Sequence, residues 1–446
     1  MTQTPGLIIA APGSDSGKTV VTLGLLRALR DRGQRIIGAK AGPDYIDPLF
    51  HAVASGQPAF NLDPWAMRHD TIARLVQPCH RGGEMIIAEG VMGLFDGANL
   101  PGQPDNGSTA DLAALTGWPV VLVVDAARQA ASVAALVSGF ANHRRDITIC
   151  GVIFNRVGSL AHTRVLQDAM AVTLPDIPIM GTIPRNAELM LPERHLGLVP
   201  AHEHTEIETF IAGAARILSE AVDLDTLVTA TRPCSLRPKN SDRHAQIDPL
   251  GQRIAIARDD AFAFTYPSVL TEWQRDGAEL DFFSPLADEA PAAQADAVYL
   301  PGGYPELHAA QLAGATNFKA GLRAAVSRNA QVFGECGGYM VLGRGLVDAA
   351  GDRHEMTGLL PVETSFASRR LHLGYRQVTT TAPSPLGPEG AVFRGHEFHY
   401  ASILTEDNAT PLFATENARG DDLGTAGTAI GSAAGSFIHL IDRTTV

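Results

Sequence analysis

Cysteine is scarce in this chain: Cys79, Cys150, Cys234 and Cys336 are the only four in 446 residues. Their scatter excludes a disulfide framework and offers no metal-ligand spacing, which suits a reducing cytoplasm. Long apolar runs are missing as well. None reaches the roughly 18 residues that a bilayer span needs. The opening MTQTPG has neither the basic nor the apolar region of a secretory leader, so a cytoplasmic location is expected. Basic charge is in deficit, with 35 Lys and Arg against 48 Asp and Glu and a formal net charge of −13. That balance argues against nucleic acid or an anionic membrane as the main partner. No internal repeat covers both halves, and no tract is of low complexity.

What remains is an ordinary globular composition, 45% hydrophobic. The length exceeds one typical core and predicts two domains. In the first part, GLIIAA, RIIGAK, EMIIAEG, VVLVVDA and ITICGVIFN are short runs rich in Val and Ile. Continuous apolar strands of this kind are covered on both faces, which predicts a parallel sheet. Helical patterns lie between them, as in GKTVVTLGLLRALRDRG, with Val21, Leu25, Leu26 and Leu29 on one face and a stop at Gly33. DTIARLVQPCH and QAASVAALVSGFANH are two more. The alternation is that of a doubly wound α/β domain. It breaks at TRPCSLRPKNSDRHAQIDPLGQ, a polar stretch with three prolines and no periodicity. The expected division is therefore a domain over 1–230, a linker over 231–251 and a second domain over 252–446. RIAIARDD, ELDFFSP, AVYLPGG, AQVFGE and GSFIHLI are the expected strands of the second α/β series.

The stretch GSDSGKT follows the first strand and opens a helix. Strand, glycine-rich loop and Gly17-Lys18-Thr19 in that order form a phosphate loop, in which backbone N–H groups face an anion. Its lysine reaches the β- and γ-phosphates, and its threonine hydroxyl holds Mg²⁺. The loop is a variant: Pro12 stands where the strict pattern has glycine, with Gly13 beside it. Gly13, Ser14, Ser16, Gly17, Lys18 and Thr19 are the expected nucleotide contacts. Glu89 ends the strand EMIIAE, at the edge where open α/β sheets bind ligands, and is a candidate Mg²⁺ ligand. AKAGPDYIDP places Lys40, Asp44 and Asp47 in one loop after a strand, which suits a metal-bound polyphosphate with an acceptor beside it. Asn155 ends GVIFN, where an amide side chain can read an adenine edge.

A second reactive element lies in VFGECGGYM. Cys336 stands between a strand and the expected helix GGYMVLGRGL. A nucleophile on such a turn projects free of the sheet, and flanking glycines allow the tight backbone. The helix start is expected to lower the thiol pKa, and the N–H groups of Gly303 and Gly337 to form an oxyanion hole. A thiol nucleophile needs a base. His439, expected to end the last strand, is the candidate, and His354, His372, His396 and His399 compete with it. In RGHEFHY the spacing of His396 and His399 suggests a metal, but no third ligand is evident, and hydrogen-bonding roles fit better. Arg369, Arg370 and Arg376 in ASRRLHLGYR are either a solvated loop or a contact for an anionic substrate.

These residues carry a family resemblance. The N-terminal half resembles the dethiobiotin-synthetase group of ATP-dependent enzymes. The C-terminal half is similar to class I glutamine amidotransferases of the cobyrinic/cobyric type. KAGPDYIDP, NLDPWAM, EGVMGLFDG, LPERHLGLV, YLPGGYPE, GECGGYM and GHEFHY together resemble the a,c-diamide synthases of cobalamin biosynthesis, nearly end to end. GAKAGPDYID points to the hydrogenobyrinic acid enzyme over the cobyrinic acid enzyme, which stays the alternative. The resemblance implies a P-loop NTPase-like doubly wound parallel sheet followed by a flavodoxin-like amidotransferase domain. It implies ATP and L-glutamine as co-substrates, Mg²⁺ as cofactor and a corrinoid as substrate, with no nucleic acid or membrane partner. Monomer or homodimer stays open. By motif, Lys18 and Thr19 would bind ATP and Mg²⁺, and Asp47 and Glu89 would complete the metal site. Lys40, Asp44 and Tyr45 would lie between nucleotide and macrocycle, and Asp96 would touch the substrate. Cys336 and His439 would be glutaminase nucleophile and base. Many class I amidotransferases carry Glu two residues after the His. Here Ile441 stands there, so what orients His439 is unassigned.

Two activities in one chain then have a common logic. A carboxylate is a poor electrophile until ATP makes it an acyl phosphate, and ammonia at neutral pH is mostly the non-nucleophilic ammonium. One half supplies the electrophile and the other the nucleophile, through a sheltered passage that is an expectation only. Three rivals explain less: cobyric acid synthase, a ParA/MinD-like ATPase switch and a stand-alone glutamine-binding regulator. The switch leaves everything after residue 250 without a role.

Overall fold

The computed structural model describes residues 3–77, 84–98, 106–190, 193–194, 197–198, 207–238, 246–406 and 410–444. The chain forms two compact units, one of Met1–Trp65 with His69–Asn240 and one of Ala66–Arg68 with Ser241–Val446.

In the first unit, seven strands form a parallel sheet: β1 (Pro5–Ala10), β2 (Arg35–Ala41), β3 (Phe60–Leu62), β4 (Glu84–Glu89), β5 (Val120–Asp125), β6 (Ile149–Val157) and β7 (Ile179–Pro184). Their spatial order is β3-β2-β4-β1-β5-β6-β7. Leu7, Ile8, Ile9, Ile87 and Val121 to Val124 are fully buried, as strands covered on both faces require. Helix α1 (Lys18–Asp31) follows β1 and buries Val21, Leu25, Leu26 and Leu29, the face its periodicity predicts. Helix α2 (Asp47–Ser55) begins with Pro48 in its first turn, where the missing N–H costs nothing. The parallel arrangement brings the carboxyl ends of β1, β2, β4 and β6 to one edge of the sheet.

The second unit holds a ten-stranded mixed sheet. Its strands are β8 (Arg253–Ala257), β9 (Glu279–Phe283), β10 (Ala297–Leu300), β11 (Gln331–Glu335), β12 (His372–Thr380), β13 (Val392–His399), β14 (Pro411–Asn417), β15 (Asp422–Ile430), β16 (Ala433–Ser436) and β17 (Ile438–Arg443). The order is β9-β8-β10-β11-β16-β15-β14-β12-β13-β17. Its first five strands are parallel in the flavodoxin-like order, and the rest are antiparallel.

Several expectations shift. GSFIHLI is two strands, turning at Phe437, and His439 is the second residue of β17 rather than its end. GGYMVLGRGL is helical only as α3 (Gly337–Leu342). It stops because Gly343 is extended, and a side chain there would lie 2.6 Å from Val362 O. The helix expected in DTIARLVQPCH spans His69–Leu75, and its Cys79 lies outside the described residues. The polar stretch after residue 231 is tied down at its start, where Pro233 pairs with Pro5. Near its end Gln246 is buried and donates to Ile441 O at 3.0 Å. Residues 239–245 between them lie outside the description. No helix among the described residues is long and apolar enough to cross a membrane.

Candidate active site

The first unit places its functional side chains where the strands end. Gly17 caps α1 at φ 80°, and a Cβ there would lie 2.3 Å from Asn155 Nδ2, so the loop requires glycine. Asn155 Nδ2 donates to Ser16 O at 3.0 Å, and Ser16 Oγ donates to Gly13 O at 2.9 Å. Arg156 Nη1 donates to Asp15 O at 2.7 Å and to Asp125 Oδ2 at 2.6 Å. Asp15 and Arg156 both hold positive φ, 60° and 57°, a strain that the surrounding bonds must maintain. Between loop and β6 runs a cleft of about 1240 Å³, bordered by Asp15 to Thr19, Asn155, Arg156 and Arg185. It has room for a nucleoside triphosphate.

Beside Thr19 lies a dense ionic cluster. Thr19 Oγ1 donates to Glu89 Oε1 at 2.5 Å. Lys40 Nζ donates to the same oxygen at 3.0 Å and pairs with Asp47. The β2–β4 register causes this, because it sets Lys40 directly opposite Glu89. His51, one turn after Asp47 on α2, brings Nε2 within 2.7 Å of Glu89 Oε2. Lys18 Nζ donates to Met92 O at 3.2 Å, and Met92 carries a positive φ of 45°. Burial alone would raise Glu89, but Lys40 and His51 hold its carboxyl far below the usual range. Burial would lower Lys40, yet Asp47, Glu89 and Asp44 outweigh it and keep the ammonium charged. One ammonium cannot balance all these acids. Burial, with the Asp44 and Glu89 charges, therefore pushes Asp47 up to about 7 despite its contact with Lys40. Burial and the Lys40 charge lower Lys18.

The second unit builds its site at the end of β11. Cys336 has φ 47° and ψ −101°, a backbone that L-residues rarely adopt and the mark of a nucleophile elbow. Cys336 N–H donates to Ser436 O at 2.8 Å, which pins the elbow to β16. After a bend at Phe437, β17 brings His439 to the same place. A Cβ on Gly302 would lie 2.4 Å from His439 Cε1, 3.1 Å from His439 Nε2 and 3.4 Å from Cys336 Cβ. Imidazole and thiol thus flank one point, and glycine is there because nothing larger fits. Gly303 N–H lies beside Gly337, whose Cβ would come within 2.9 Å of that nitrogen.

The electrostatics of this site overturn one expectation. The Gly337 N–H does favour the thiolate, but burial and the Glu306 carboxylate outweigh it, and the Cys336 thiol is pushed well up. Burial, with His396 and His399 nearby, lowers His439 to about 3. Burial thus favours the uncharged form of both the thiol and the imidazole.

Models of two families match the chain. The CobQ/CobB/MinD/ParA nucleotide binding domain matches residues 7–199, and the CobB/CobQ-like glutamine amidotransferase domain matches residues 253–444. A hydrogenobyrinate a,c-diamide synthase of Brucella abortus is 55% identical over 443 residues, covering 98% of both chains. One of Rhizobium meliloti is 54% identical over 441 residues, covering 98% of this chain and 99% of that one. The chain belongs to the hydrogenobyrinate a,c-diamide synthase family. Its two halves are thus a P-loop nucleotide-binding domain and a class I glutamine amidotransferase domain, as the strand patterns imply.

The expected site residues divide. Lys18, Thr19, Lys40, Asp47 and Glu89 converge, and His51 joins them unforeseen. Its only sequence signal is its place four residues after Asp47 on α2. Gly13 and Ser14 stand outside the lining of the cleft. The Asn155 amide holds the loop and accepts from Arg156 N–H at 2.9 Å, a structural use beside the expected adenine contact. Asp44 Oδ1 accepts from Ile46 and Asp47 N–H at 2.8 and 3.3 Å, so it caps the start of α2. Tyr45 is buried, and Asp96 Oδ2 accepts from Gly93 N–H at 2.8 Å within its own turn. Of the competing histidines, His354 contacts Asp348 at 2.8 Å. His372, Glu397 and His399 form the one group with metal-ligand proximity among the described residues, all within 4.8 Å. The third member that RGHEFHY lacked is therefore His372, from the paired strand, in place of His396. Arg376 donates to Glu397 at 2.8 Å and balances its charge. Arg369 and Arg370 are exposed.

Proposed function

We propose that this protein amidates the a and c carboxylates of hydrogenobyrinic acid, using ATP and ammonia released from glutamine. Residues 1–230 form the synthetase domain and 252–446 the glutaminase domain. The observation that carries this reading is the strained Cys336 elbow facing His439, in one chain with a phosphate loop beside an ionic cluster. A switch ATPase has no use for the elbow, and a stand-alone regulator has none for the loop.

In the glutaminase half, Cys336 Sγ attacks the amide carbon of glutamine while His439 takes the thiol proton. The oxyanion is held by Gly303 and Gly337 N–H. The C–N bond breaks, His439 returns the proton to the leaving nitrogen, and water hydrolyses the thioester to glutamate. In the synthetase half, a substrate carboxylate oxygen attacks the γ-phosphorus and ADP leaves. Ammonia then attacks the acyl carbon and phosphate leaves, one ATP and one glutamine per amide. Lys18 binds phosphate oxygens, and Lys40 offsets charge at the acyl phosphate. Asp44, Tyr45 and Asp96 are the proposed substrate side, and Asn155 the proposed adenine contact.

Thr19, Glu89 and Asp47 fit Mg²⁺: the donors are all hard oxygens, two already converge within 2.5 Å, and the carboxylates outnumber Lys40. When bound, the ion would neutralise polyphosphate charge. The proposed location is the cytoplasm.

Cys336→Ala tests the reading. Glutamine-dependent synthesis is expected to fall by about 10³-fold or more, while ammonia-dependent synthesis persists. Loss of both would make Cys336 structural. Hydrogenobyrinic and cobyrinic acids assayed side by side decide the substrate, and preference for cobyrinic acid would overturn that part.

A further inference from the structure

Ile441 leaves the usual orienting acid of His439 vacant, and a different carboxylate faces the ring. We propose that Glu335, the residue before Cys336, is the positioning residue of His439: its carboxylate grips the His439 strand from one side and faces the imidazole Nδ1. This deepens the glutaminase reading above and rests on it.

Three contacts carry the inference. Glu335 Oε2 lies 3.9 Å from His439 Nδ1. Glu335 Oε1 accepts from the N–H of Leu440, the next residue, at 3.1 Å. Tyr299 Oη donates to Glu335 Oε2 at 2.7 Å, so the carboxylate cannot swing away. Ring atoms Cε1 and Nε2 border the Gly302 position, which Cys336 Cβ also borders. Glu335 therefore addresses the nitrogen that does not face the thiol, which is the place of the orienting acid in nucleophile–base–acid triads. Its position also follows from the fold. β11 delivers Glu335 and Cys336 as consecutive residues, and pairing of Glu335 with Ser436 sets the carboxylate beside the corner from which β17 starts. The triad is rewired: the acid comes from the nucleophile's strand, and Ile441 is free to pack in the core, where it is fully buried.

As Cys336 loses its proton to His439, the imidazolium gains from a negative charge on its far side. Ionised Glu335 supplies that charge, and protonated Glu335 does not. Burial pushes Glu335 up to about 7, against the Tyr299 and Leu440 donors. The other groups facing this set are Tyr299 with Tyr266 behind it, His396 and His399 toward His439, and Glu306 and Glu397 toward Cys336.

The test uses the purified full chain. Glutamate release is measured as kcat and KM from pH 5.5 to 9 for wild type, Glu335→Gln, Tyr299→Phe and Cys336→Ala. Glu335→Gln keeps the shape and removes the charge. Its kcat is expected to fall about 10²-fold, with KM for glutamine within about threefold and ammonia-dependent synthesis retained. The rising limb of the wild-type profile near pH 7 is expected to vanish. Tyr299→Phe deletes a donor that favours the carboxylate, so its limb is expected to move to higher pH. Wild-type kcat and limb in Glu335→Gln overturn the inference. So does a limb unmoved in Tyr299→Phe, or a parallel loss of ammonia-dependent synthesis, which marks a merely structural acid. Cys336→Ala separates this from the underlying reading: if it still releases glutamate, the glutaminase assignment itself fails.

Discussion

The two sites of this chain solve opposite electrostatic problems. The synthetase cluster crowds Lys18, Lys40, Asp47, Glu89 and His51 together, all buried, with each charge dependent on its neighbours. In the proposed glutaminase site burial instead favours the uncharged forms of the pair itself, pushing the Cys336 thiol up and lowering His439 to about 3. Phosphoryl transfer moves several negative charges at once, and preset charge is the means of holding them. Thiol attack moves one proton between two groups, and a dry pocket prevents its loss to water. The first site is thus fragile to removal of one charge, and the second to intrusion of one atom.

The largest expected effect breaks the first site. In Lys40→Met, a side chain of similar length no longer balances Glu89 and Asp47, both within its reach and almost fully buried. Removing one partner of a buried ionic group costs about 3–5 kcal/mol. Amide synthesis is expected to fall by about 10³-fold or more with either nitrogen source. Thermal denaturation should show the first unit melting several degrees earlier. An unchanged melting temperature would mean that the cluster takes up protons instead of holding charge.

Next in size is Gly302→Ala in the second unit. The added methyl would sit 2.4 Å from His439 Cε1 and 3.4 Å from Cys336 Cβ. The ring must turn, and misplacement by an ångström costs on the order of 10²-fold in rate. Glutamine-dependent synthesis is expected to drop by that factor while ammonia-dependent synthesis stays. A variant equally active with both nitrogen sources would show that the ring has room, and that the tight packing at Gly302 does not hold the base.

Much of both sites was legible because chemistry followed the ends of strands. Apolar runs marked β1, β4 and β11: β4 ends on Glu89, β11 ends just before Cys336, and β1 leads into the phosphate loop. Lys40 and Glu89 were both marked, but their pairing depends on strand register, which no local pattern reveals. His51 was hidden as one helix residue among others. Glu335 was hidden by Cys336 next to it, because a residue two positions after the His is the usual place to seek the acid. The thiol pKa went the other way from expectation, since a short helix start is a local feature, whereas burial belongs to the whole unit. The antiparallel strands from His372 to Ile430 carry His396, Glu397 and His399, and their mixed sequences lack the continuous apolar runs of the parallel core.

One residue type behaves in opposite ways at the two sites. Glu89 and Glu335 are both buried glutamates at the carboxyl ends of strands. Despite burial, the Lys40 and His51 partners hold Glu89 far below its unfolded value. Its charge therefore contributes stability above about pH 4.5, and that contribution is lost as pH falls toward the folded value. Burial raises Glu335 to about 7, so the folded chain keeps a proton that the unfolded chain has released. Folding then becomes less favourable as pH rises from about 4.5 through 7, by an amount on the order of 1–3 kcal/mol. Glu89→Gln should accordingly lower the melting temperature at pH 7 and above. Glu335→Gln should leave it near wild type at pH 5 and raise it by a few degrees at pH 8.5, even as glutamate release collapses. Melting curves at the two pH values decide the matter. A Glu335→Gln chain less stable at pH 8.5 would mean that a cation already holds that carboxylate, and that burial is not what sets its proton affinity.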